Sequence, residues 1–186
     1  MFSILDKNDR KMKRETFHIR PETPADFPEI YSLIQTAFET AKVKDGDEQD
    51  FTDRLRASEG YIPELGLVAE QDGKLIGQIL FTRTFVERPD GSRFETLLLA
   101  PLSVLLEYRE QGVGSALMRE GFRLALEQGY TSAFLCGDPG YYERFGFRSS
   151  AGFGIHSKSG IPPQFTLAVQ LEPDALKGVA GMIDAY

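Results

Sequence analysis

Three strand patterns joined by two tight turns occupy the middle of the chain, and they restrict the folds that it can adopt. Residues 65–70 and 74–86 flank the pair Asp72-Gly73, which is typical of a two-residue hairpin. A second turn at residues 88–91 leads into a third strand pattern at 94–104. Because tight turns join antiparallel neighbours, these segments predict an antiparallel unit within one sheet.

The third strand is predicted to lie at the centre of that sheet. The run from Leu97 to Leu102 is apolar on both faces, as expected where both faces are covered. Pro101 interrupts this run, and proline removes one donor from the hydrogen-bond ladder of a sheet. We therefore expect a β-bulge at this point, or a place where neighbouring strands part.

Helical and strand patterns surround this unit. Thr23, Pro24 and Asp26 form a helix start with Thr23 as the N-cap, and apolar residues follow at helical spacing. The remaining predicted elements are a first strand at 16–20, a second short helix carrying Phe51 and Leu55, a helix at 112–127, a strand at 132–136, a short helix at 139–145, a strand opened by Phe147, and a strand at 164–171 that closes the sheet. This order predicts a mixed α/β layer fold with one central sheet.

Composition narrows the classes of protein to which the chain can belong. Its 186 residues fit one domain, which we assign to residues 15–186, with residues 1–14 as a flexible tail. The net charge of −7 argues against nucleic acid as a partner, and the basic residues at 7–14 are interpreted as part of a solvated tail. No apolar run reaches the length of about 18 residues that a membrane span needs. A single cysteine, Cys136, excludes an internal disulfide and fits a reducing, cytoplasmic location.

The junction between the central strand and the next helix carries the pattern Arg109-x-x-Gly112-x-Gly114. The first turn of a helix presents unpartnered N–H groups and a partial positive charge, which suit a pyrophosphate. Glycine at both positions removes Cβ atoms that would block its approach, and Arg109 can add a charge-assisted hydrogen bond. A P-loop needs a Lys-Ser or Lys-Thr pair where Ser115-Ala116 stands, and a dinucleotide fingerprint needs glycine in place of Leu117. A plain strand-to-helix turn is the alternative interpretation.

Two motifs resemble those of the GNAT superfamily of N-acetyltransferases. The segment from Ala100 to Gly114, which ends in the arginine and glycine pattern, is similar to the acetyl-CoA motif of that family. The segment from Tyr142 to Phe147 matches the family's Tyr-x-x-x-Gly-Phe motif position by position. The longer string from Gly137 to Phe147 is similar to a bacterial branch often called YhbS-like. The likeness spans roughly residues 17–176 and is loose outside these motifs.

This resemblance implies a fold, a donor and a set of binding residues. The fold is that of acyl-CoA N-acyltransferases, with a mostly antiparallel sheet of about six or seven strands flanked by about four helices. The co-substrate is acetyl-CoA, no metal is needed, and the activity is transfer of the acetyl group to an amine. The residues implied to bind acetyl-CoA are Leu102, Ser103, Val104, Arg109, Glu110, Gln111, Gly112, Val113, Gly114 and Ser115.

The resemblance also implies Tyr142 as the acid that protonates the leaving thiolate, while a tyrosine that only packs in the core is the alternative. Its neighbour Tyr141 is expected to point elsewhere and is assigned no role. No general base is identified, although Glu39, Gln78 and Glu95 are candidates. Cys136 has no histidine beside it in the sequence and is interpreted as a buried structural residue rather than a nucleophile.

The acceptor is left open by the sequence. The acidic loop at residues 42–50 either attracts a cationic acceptor or is simply solvated. Because no base is identified, an acyl-CoA-binding regulatory or sensor module without turnover is the alternative function. Dimers are frequent in the family, so the resemblance is compatible with a homodimer.

Overall fold

A computed structural model describes residues 16–42 and 44–184, so the predicted tail at residues 1–14 lies outside the described residues. The strands are β1 (His18–Pro21), β2 (Tyr61–Gln71), β3 (Lys74–Glu87), β4 (Arg93–Val104), β5 (Ser132–Cys136), β6 (Arg148–Ser149), β7 (Ile155–Ser157), β8 (Thr166–Gln170) and β9 (Gly181–Ile183). The helices are α1 (Phe27–Phe38), α2 (Glu48–Arg56), α3 (Val113–Glu127) and α4 (Pro139–Tyr142). All these strands belong to one sheet, which confirms the predicted mixed α/β fold class.

The antiparallel unit predicted from the two tight turns is present. β2 pairs with β3, and β3 pairs with β4, both in antiparallel orientation. At the first turn Asp72 and Gly73 both have positive φ angles, of 51° and 77°, which is the requirement of a type I′ hairpin. The central position predicted for β4 is also confirmed, because β4 pairs with β5 on the side away from β3.

The strand predicted at residues 164–171, which corresponds to β8, was assigned the wrong position in the sheet. The sheet order is β1-β2-β3-β4-β5-β8-β6, so β8 lies inside the sheet between β5 and β6 instead of closing it. The short β9 returns to pair with β3 at Val86 and Glu87 and also pairs with β7. The strand opened by Phe147 corresponds to β6, whereas β7 and β9 were not expected, because strands of three residues are too short to show an alternating pattern.

The helical segment that contains α1 begins at Pro24 as predicted, but its first turn is not α-helical. A 3-10 turn occupies Pro24–Asp26, and the α-helix begins at Phe27. The Asp26 carboxylate accepts hydrogen bonds from the backbone N–H of Thr23 at 2.7 Å and from its hydroxyl at 2.9 Å, so the predicted capping residues do cap this turn. Pro28 has no N–H to donate to the carbonyl of residue 24, so an α-helical hydrogen bond cannot form there.

Helices cover both faces of the sheet. One core cluster joins Val113 and Leu117 of α3 to Leu67 of β2. A second cluster joins Ile30 and Ile34 of α1 to Val68, the next residue along β2. Because successive strand residues point to opposite faces, α3 and α1 lie on opposite sides of the sheet.

Candidate active site

The central strands β4 and β5 part after two residue pairs. They pair in parallel at Leu97 with Ala133 and at Leu98 with Phe134, and the described residues form no further pair between them. β4 nevertheless continues to Val104, so its last six residues leave an edge whose backbone N–H and C=O groups face a cleft. An open strand edge of this kind can pair with an extended ligand.

The expected bulge lies where the strands part. On the other side of β4, Phe81 pairs with Leu99 and Ile79 pairs with Leu102, so Ala100 and Pro101 together face the single residue between those two positions of β3. Both predicted consequences of Pro101, a bulge and a parting of strands, are therefore present. The proline, which lacks an N–H, stands where the ladder is irregular.

The turn after β4 presents the N-terminus of α3 at the end of this cleft. Gly112 precedes the helix with a φ of 86°, a conformation that favours glycine, and its carbonyl accepts the N–H of Ala116 at 2.9 Å. The N–H groups of Val113, Gly114 and Ser115 precede that first helical hydrogen bond, so helix geometry leaves them directed outwards with the positive end of the helix dipole. Groups arranged in this way can bind an anion.

The two glycines of the motif serve different purposes. A Cβ atom at position 112 would have no atom within 4 Å, so the positive φ, and not space, explains the glycine. A Cβ atom at position 114 would lie 2.8 Å from the hydroxyl oxygen of Tyr141. The sequence interpretation attributed both glycines to the approach of a phosphate, and the contact with Tyr141 gives a second reason for the one at 114.

Arg109 contacts the end of α1, and it lies near enough to Tyr141 for its charge to lower the pKa of that residue. Its Nε donates to the carbonyl of Val104 at 3.1 Å, and its two terminal nitrogens donate to the Thr40 hydroxyl at 2.8 Å and to the carbonyl of Ala37 at 2.7 Å. The guanidinium thus ties the end of α1 to the end of β4. Its expected contact with a pyrophosphate stays a prediction.

The other residues expected to bind the donor divide between the faces of the sheet. Leu102 and Val104 point towards α3, with side-chain carbons 3.9 and 3.6 Å from the Cβ position of residue 114. Ser103 points to the opposite face, is 2% exposed, and lies beside Gln78 of β3. Glu110 and Gln111 are exposed in the turn, and the Gln111 side chain donates to the carbonyl of Glu107 at 2.7 Å.

The predicted catalytic acid, Tyr142, lies where β5 ends. One of its ring carbons is 2.7 Å from the Cβ position of Gly137, the residue that follows β5. Its ring meets that of Phe147 edge-on at 5.8 Å, and it packs partly buried against the core cluster under α3. Tyr142 is therefore held beside the cleft by its ring.

Tyr141, to which the sequence interpretation assigned no role, also lies in this cleft. Its hydroxyl is the group that approaches Gly114 at the start of α3. Its ring meets that of Tyr142 edge-on at 4.9 Å, and the guanidinium of Arg144 stacks on it with Cζ 4.2 Å from the ring centroid. The direction of each ring depends on the four-residue helix α4, for which residue spacing alone gives no prediction.

Comparison with known proteins agrees with this geometry. The profile of the acetyltransferase (GNAT) domain matches residues 18–149. The chain belongs to the GNAT family. It is 34% identical over 170 residues to YhbS of Escherichia coli K12, an uncharacterised N-acetyltransferase, covering 90% of this chain and 95% of that one. It is 37% identical over 138 residues to YjhQ of the same strain, also an uncharacterised N-acetyltransferase, covering 74% and 71%.

Solved GNAT structures agree in fold. The structure of E. coli YhbS in complex with CoA is similar with a TM-score of 0.80, at 32% identity, covering 91% of this chain and 89% of that one. A GNAT acetyltransferase from Brucella melitensis, in complex with acetyl-CoA, is similar with a TM-score of 0.72, at 30% identity, covering 92% and 96%. The chain is accordingly a GNAT N-acetyltransferase, and the YhbS-like resemblance is confirmed.

The face of β4 opposite α3 is covered by α2. Leu98 and Ala100 of β4 are buried there beneath Phe51 and Leu55 of α2, with Ile161 packed beside them. This wall of the cleft is apolar.

The described residues contain no group of three or more His, Cys, Asp and Glu side chains that could hold a metal ion. None of the helices among them has the length and apolar character that a membrane span requires.

The acidic residues before and within α2 are mostly engaged with protein partners. Asp47 pairs with Arg54 at 3.0 Å, the Glu48 carboxylate accepts the N–H of Asp45 at 2.6 Å, and Asp50 accepts the hydroxyl of Tyr31 at 2.8 Å. These contacts favour a structural role for the loop over attraction of a cation.

Cys136 lies at the end of β5 opposite Thr166. Cys136 is half-buried and Thr166 is buried. Burial raises the pKa of the Cys136 thiol, and the negative charge of Asp45 raises it further. A thiol whose pKa is raised is a poorer nucleophile at neutral pH, which agrees with the interpretation of Cys136 as a structural residue.

Proposed function

We propose that this chain transfers the acetyl group of acetyl-CoA to a primary amine by direct attack of the amine on the thioester. The observation that carries this proposal is the open edge of β4, which ends at the N-terminus of α3. A strand edge suits an extended arm bearing amide groups, and a helix N-terminus suits a pyrophosphate. Acetyl-CoA has both parts in that order, and the relatives solved with CoA and acetyl-CoA support this assignment.

The backbone of β4 would hold the arm of the donor. We assign this role to backbone groups at Leu102 and Val104, beyond the bulge and on the part of β4 that does not pair with β5, where the Val104 carbonyl also accepts the Nε of Arg109. A backbone N–H near the thioester would also stabilise negative charge on its carbonyl oxygen as the amine attacks. The N–H groups from Gly112 to Ser115 would bind the pyrophosphate.

Side chains that line the cleft would assist the release of CoA as a leaving group. The amine nitrogen forms a bond to the acetyl carbon, the carbon–sulfur bond breaks, and the nitrogen releases one proton. We assign Tyr142, packed beside the end of β5, as the donor of a proton or hydrogen bond to the leaving thiolate. The apolar wall of Leu98, Ala100 and Phe51 would favour the neutral form of an amine, which is the form that attacks.

Calorimetric titration with acetyl-CoA tests the donor site, with ATP as the control ligand. We expect saturable one-to-one binding of acetyl-CoA that is lost in Gly112→Val, because valine does not readily adopt the positive φ of residue 112. Thermal unfolding of the variant should show that the domain stays folded. Absence of binding by the natural protein, or equal binding by the variant, would reject the proposed site.

A second measurement separates an enzyme from a binding module. Release of free thiol from acetyl-CoA is followed with a panel of amines that includes polyamines, aminoglycosides, amino-acid derivatives and peptides with free N-termini. Amine-dependent release supports the transferase. Tight binding of acetyl-CoA without release for any amine would favour a regulatory or sensor module on the same fold.

A further inference from the structure

A pyrophosphate at the start of α3 requires more than backbone N–H groups, because it carries negative charge that a nearby cation would balance. The motif arginine, Arg109, lies near enough to act on Tyr141, but three of its N–H groups are already bound to protein acceptors. Its guanidinium is bound to Val104, Thr40 and Ala37 on the side of α1. Another positive group near Gly114 is therefore of interest.

The opposite side of the cleft offers such a group next to Tyr141. Arg144 stacks on the Tyr141 ring at 4.2 Å, and its Nε donates to the carbonyl of Tyr141 at 2.8 Å. The Tyr141 hydroxyl in turn lies against Gly114. Through Tyr141, Arg144 is therefore connected to the first turn of α3.

Arg144 is available for a ligand. Its side chain is exposed, and the ion pairs formed among the described residues do not include it. Its described contacts are the hydrogen bond through Nε and the faces of Tyr141 and Phe145. A stacked guanidinium keeps the N–H groups at its outer edge free to bind two oxygen atoms at once.

The phenol of Tyr141 is held in place before any ligand binds. Tyr142 and Phe145 contact its ring, with centroid distances of 4.9 and 5.8 Å. Burial raises the pKa of Tyr141, although the charges of Arg144 and Arg109 oppose this effect. The hydroxyl is therefore protonated at neutral pH and can donate a hydrogen bond.

We propose that Tyr141 and Arg144 form a second wall of the pyrophosphate site, facing Gly112 and Gly114 across the cleft. The Tyr141 hydroxyl donates to a phosphate oxygen, and Arg144 supplies the cation. The ligand class is a diphosphate diester, as in the CoA part of the donor, so this inference rests on the proposed function. It also gives Gly114 a purpose, since a side chain there would displace the Tyr141 hydroxyl.

The test compares the affinity of three ligands, acetyl-CoA, CoA and 3′-dephospho-CoA, for the natural protein and for Arg144→Gln and Tyr141→Phe. Binding is measured by calorimetry, so no acceptor is needed. Arg144→Gln should weaken all three ligands by about tenfold, the usual effect of losing one charge-assisted hydrogen bond. Tyr141→Phe keeps the ring on which Arg144 stacks and should weaken all three about fivefold. Added salt should reduce the affinity of the natural protein more steeply than that of Arg144→Gln.

Matched variants control for effects on folding. Arg123→Gln removes an exposed arginine that pairs with Glu120 and Glu127 on α3, and it should leave all three affinities unchanged. Arg144→Lys keeps a positive charge, and thermal unfolding should show every variant folded. Restoration of part of the affinity by lysine is expected for a charge contact.

Each other outcome has a distinct meaning. If the natural protein binds acetyl-CoA and Arg144→Gln binds it equally well, the second wall is wrong while the proposed function stands. A loss in Arg144→Gln for CoA but not for 3′-dephospho-CoA would place Arg144 at the 3′-phosphate and also overturn the inference. No binding by the natural protein would instead reject the proposed function.

Discussion

The guanidinium of Arg109 donates a hydrogen bond of 2.7 Å to the backbone carbonyl of Ala37, 72 positions earlier in the chain. Ala37 stands in the last turn of α1, where carbonyl groups have no partner within the helix. A cation at this end of a helix is also favourable because of the helix dipole. Arg109 therefore joins the end of α1 to the end of β4 and the turn that follows it.

Replacing Arg109 should affect stability more than donor binding. We expect Arg109→Gln to lower the free energy of unfolding by about 1–3 kcal/mol, because three hydrogen bonds from a charged group are lost. Urea unfolding measures this change, and Arg109→Lys should recover only a part, since an ammonium cannot reach three divergent acceptors. A large loss of acetyl-CoA affinity without a change in the unfolding midpoint would instead return Arg109 to the pyrophosphate.

Tyr142→Phe should slow turnover and leave acetyl-CoA binding intact. The ring contacts with Gly137 and Phe147 are kept, so the fold should be unchanged. A general acid contributes about 10²–10⁴-fold to a rate, and kcat should fall by a factor in that range. Tyr141→Phe is the matched comparison, because its main effect should be on the affinity for acetyl-CoA. Equal kcat values for natural protein and Tyr142→Phe would remove Tyr142 as the acid.

Gln78 is fully buried, and neither polar atom of its side chain has a hydrogen-bond partner among the described residues. The hydroxyl of Ser103, its cross-strand neighbour on β4, is also buried without one. Burying unpaired amide atoms costs about 1–3 kcal/mol. Gln78→Met, which keeps a side chain of similar length, should therefore raise the free energy of unfolding, as measured by urea titration.

The outcome for Gln78→Met also bears on catalysis. A stabilised variant with normal turnover would make Gln78 dispensable and end its candidacy as a group that assists proton removal. A variant that is less stable than the natural protein would contradict the assignment of unpaired atoms. Ser103→Ala is the companion variant and should behave in the same direction.

The sequence predicted the elements around the cleft closely because their signals are local. β5 was expected at residues 132–136, which are its bounds, and the helix expected at 112–127 begins one residue later at Val113. The pattern Arg109-x-x-Gly112-x-Gly114 located the turn before α3, and its binding of the donor stays a prediction. Pro101 located the bulge and the parting of strands, since the loss of one backbone donor is a property of the residue itself.

Features that depend on distant contacts were not predictable in this way. The direction of Arg109 is set by Ala37 and Thr40, which no spacing rule connects to it. The purpose of Gly114 depends on Tyr141, which lies beyond β5. Similarly, the position of β8 inside the sheet depends on which strand edge is free, and the apolar pattern of a strand does not contain that information.

A buried ion pair attaches α2 to the sheet and controls one pH-dependent contribution to stability. Arg56 donates two hydrogen bonds to Glu22, at 2.9 and 2.7 Å, and the two side chains are 6% and 0% exposed. The hydroxyl of Tyr61 on β2 donates to the same carboxylate at 3.1 Å. Burial, together with the negative charge of Glu22 and this hydrogen bond, raises the pKa of Tyr61 from 10 to about 12.

This shift predicts a loss of stability at high pH. Because the folded pKa of Tyr61 lies above the unfolded value, folding favours the protonated phenol, and the associated stability is complete below pH 10. It should decrease as the pH rises from 10 towards about 12. The difference in free energy of unfolding between the natural protein and Tyr61→Phe should therefore shrink over that interval and be constant between pH 7 and 9. Other tyrosines titrate in both proteins and cancel in the difference. A difference that stays constant up to pH 12 would show that the Tyr61 hydroxyl is not favoured by the fold.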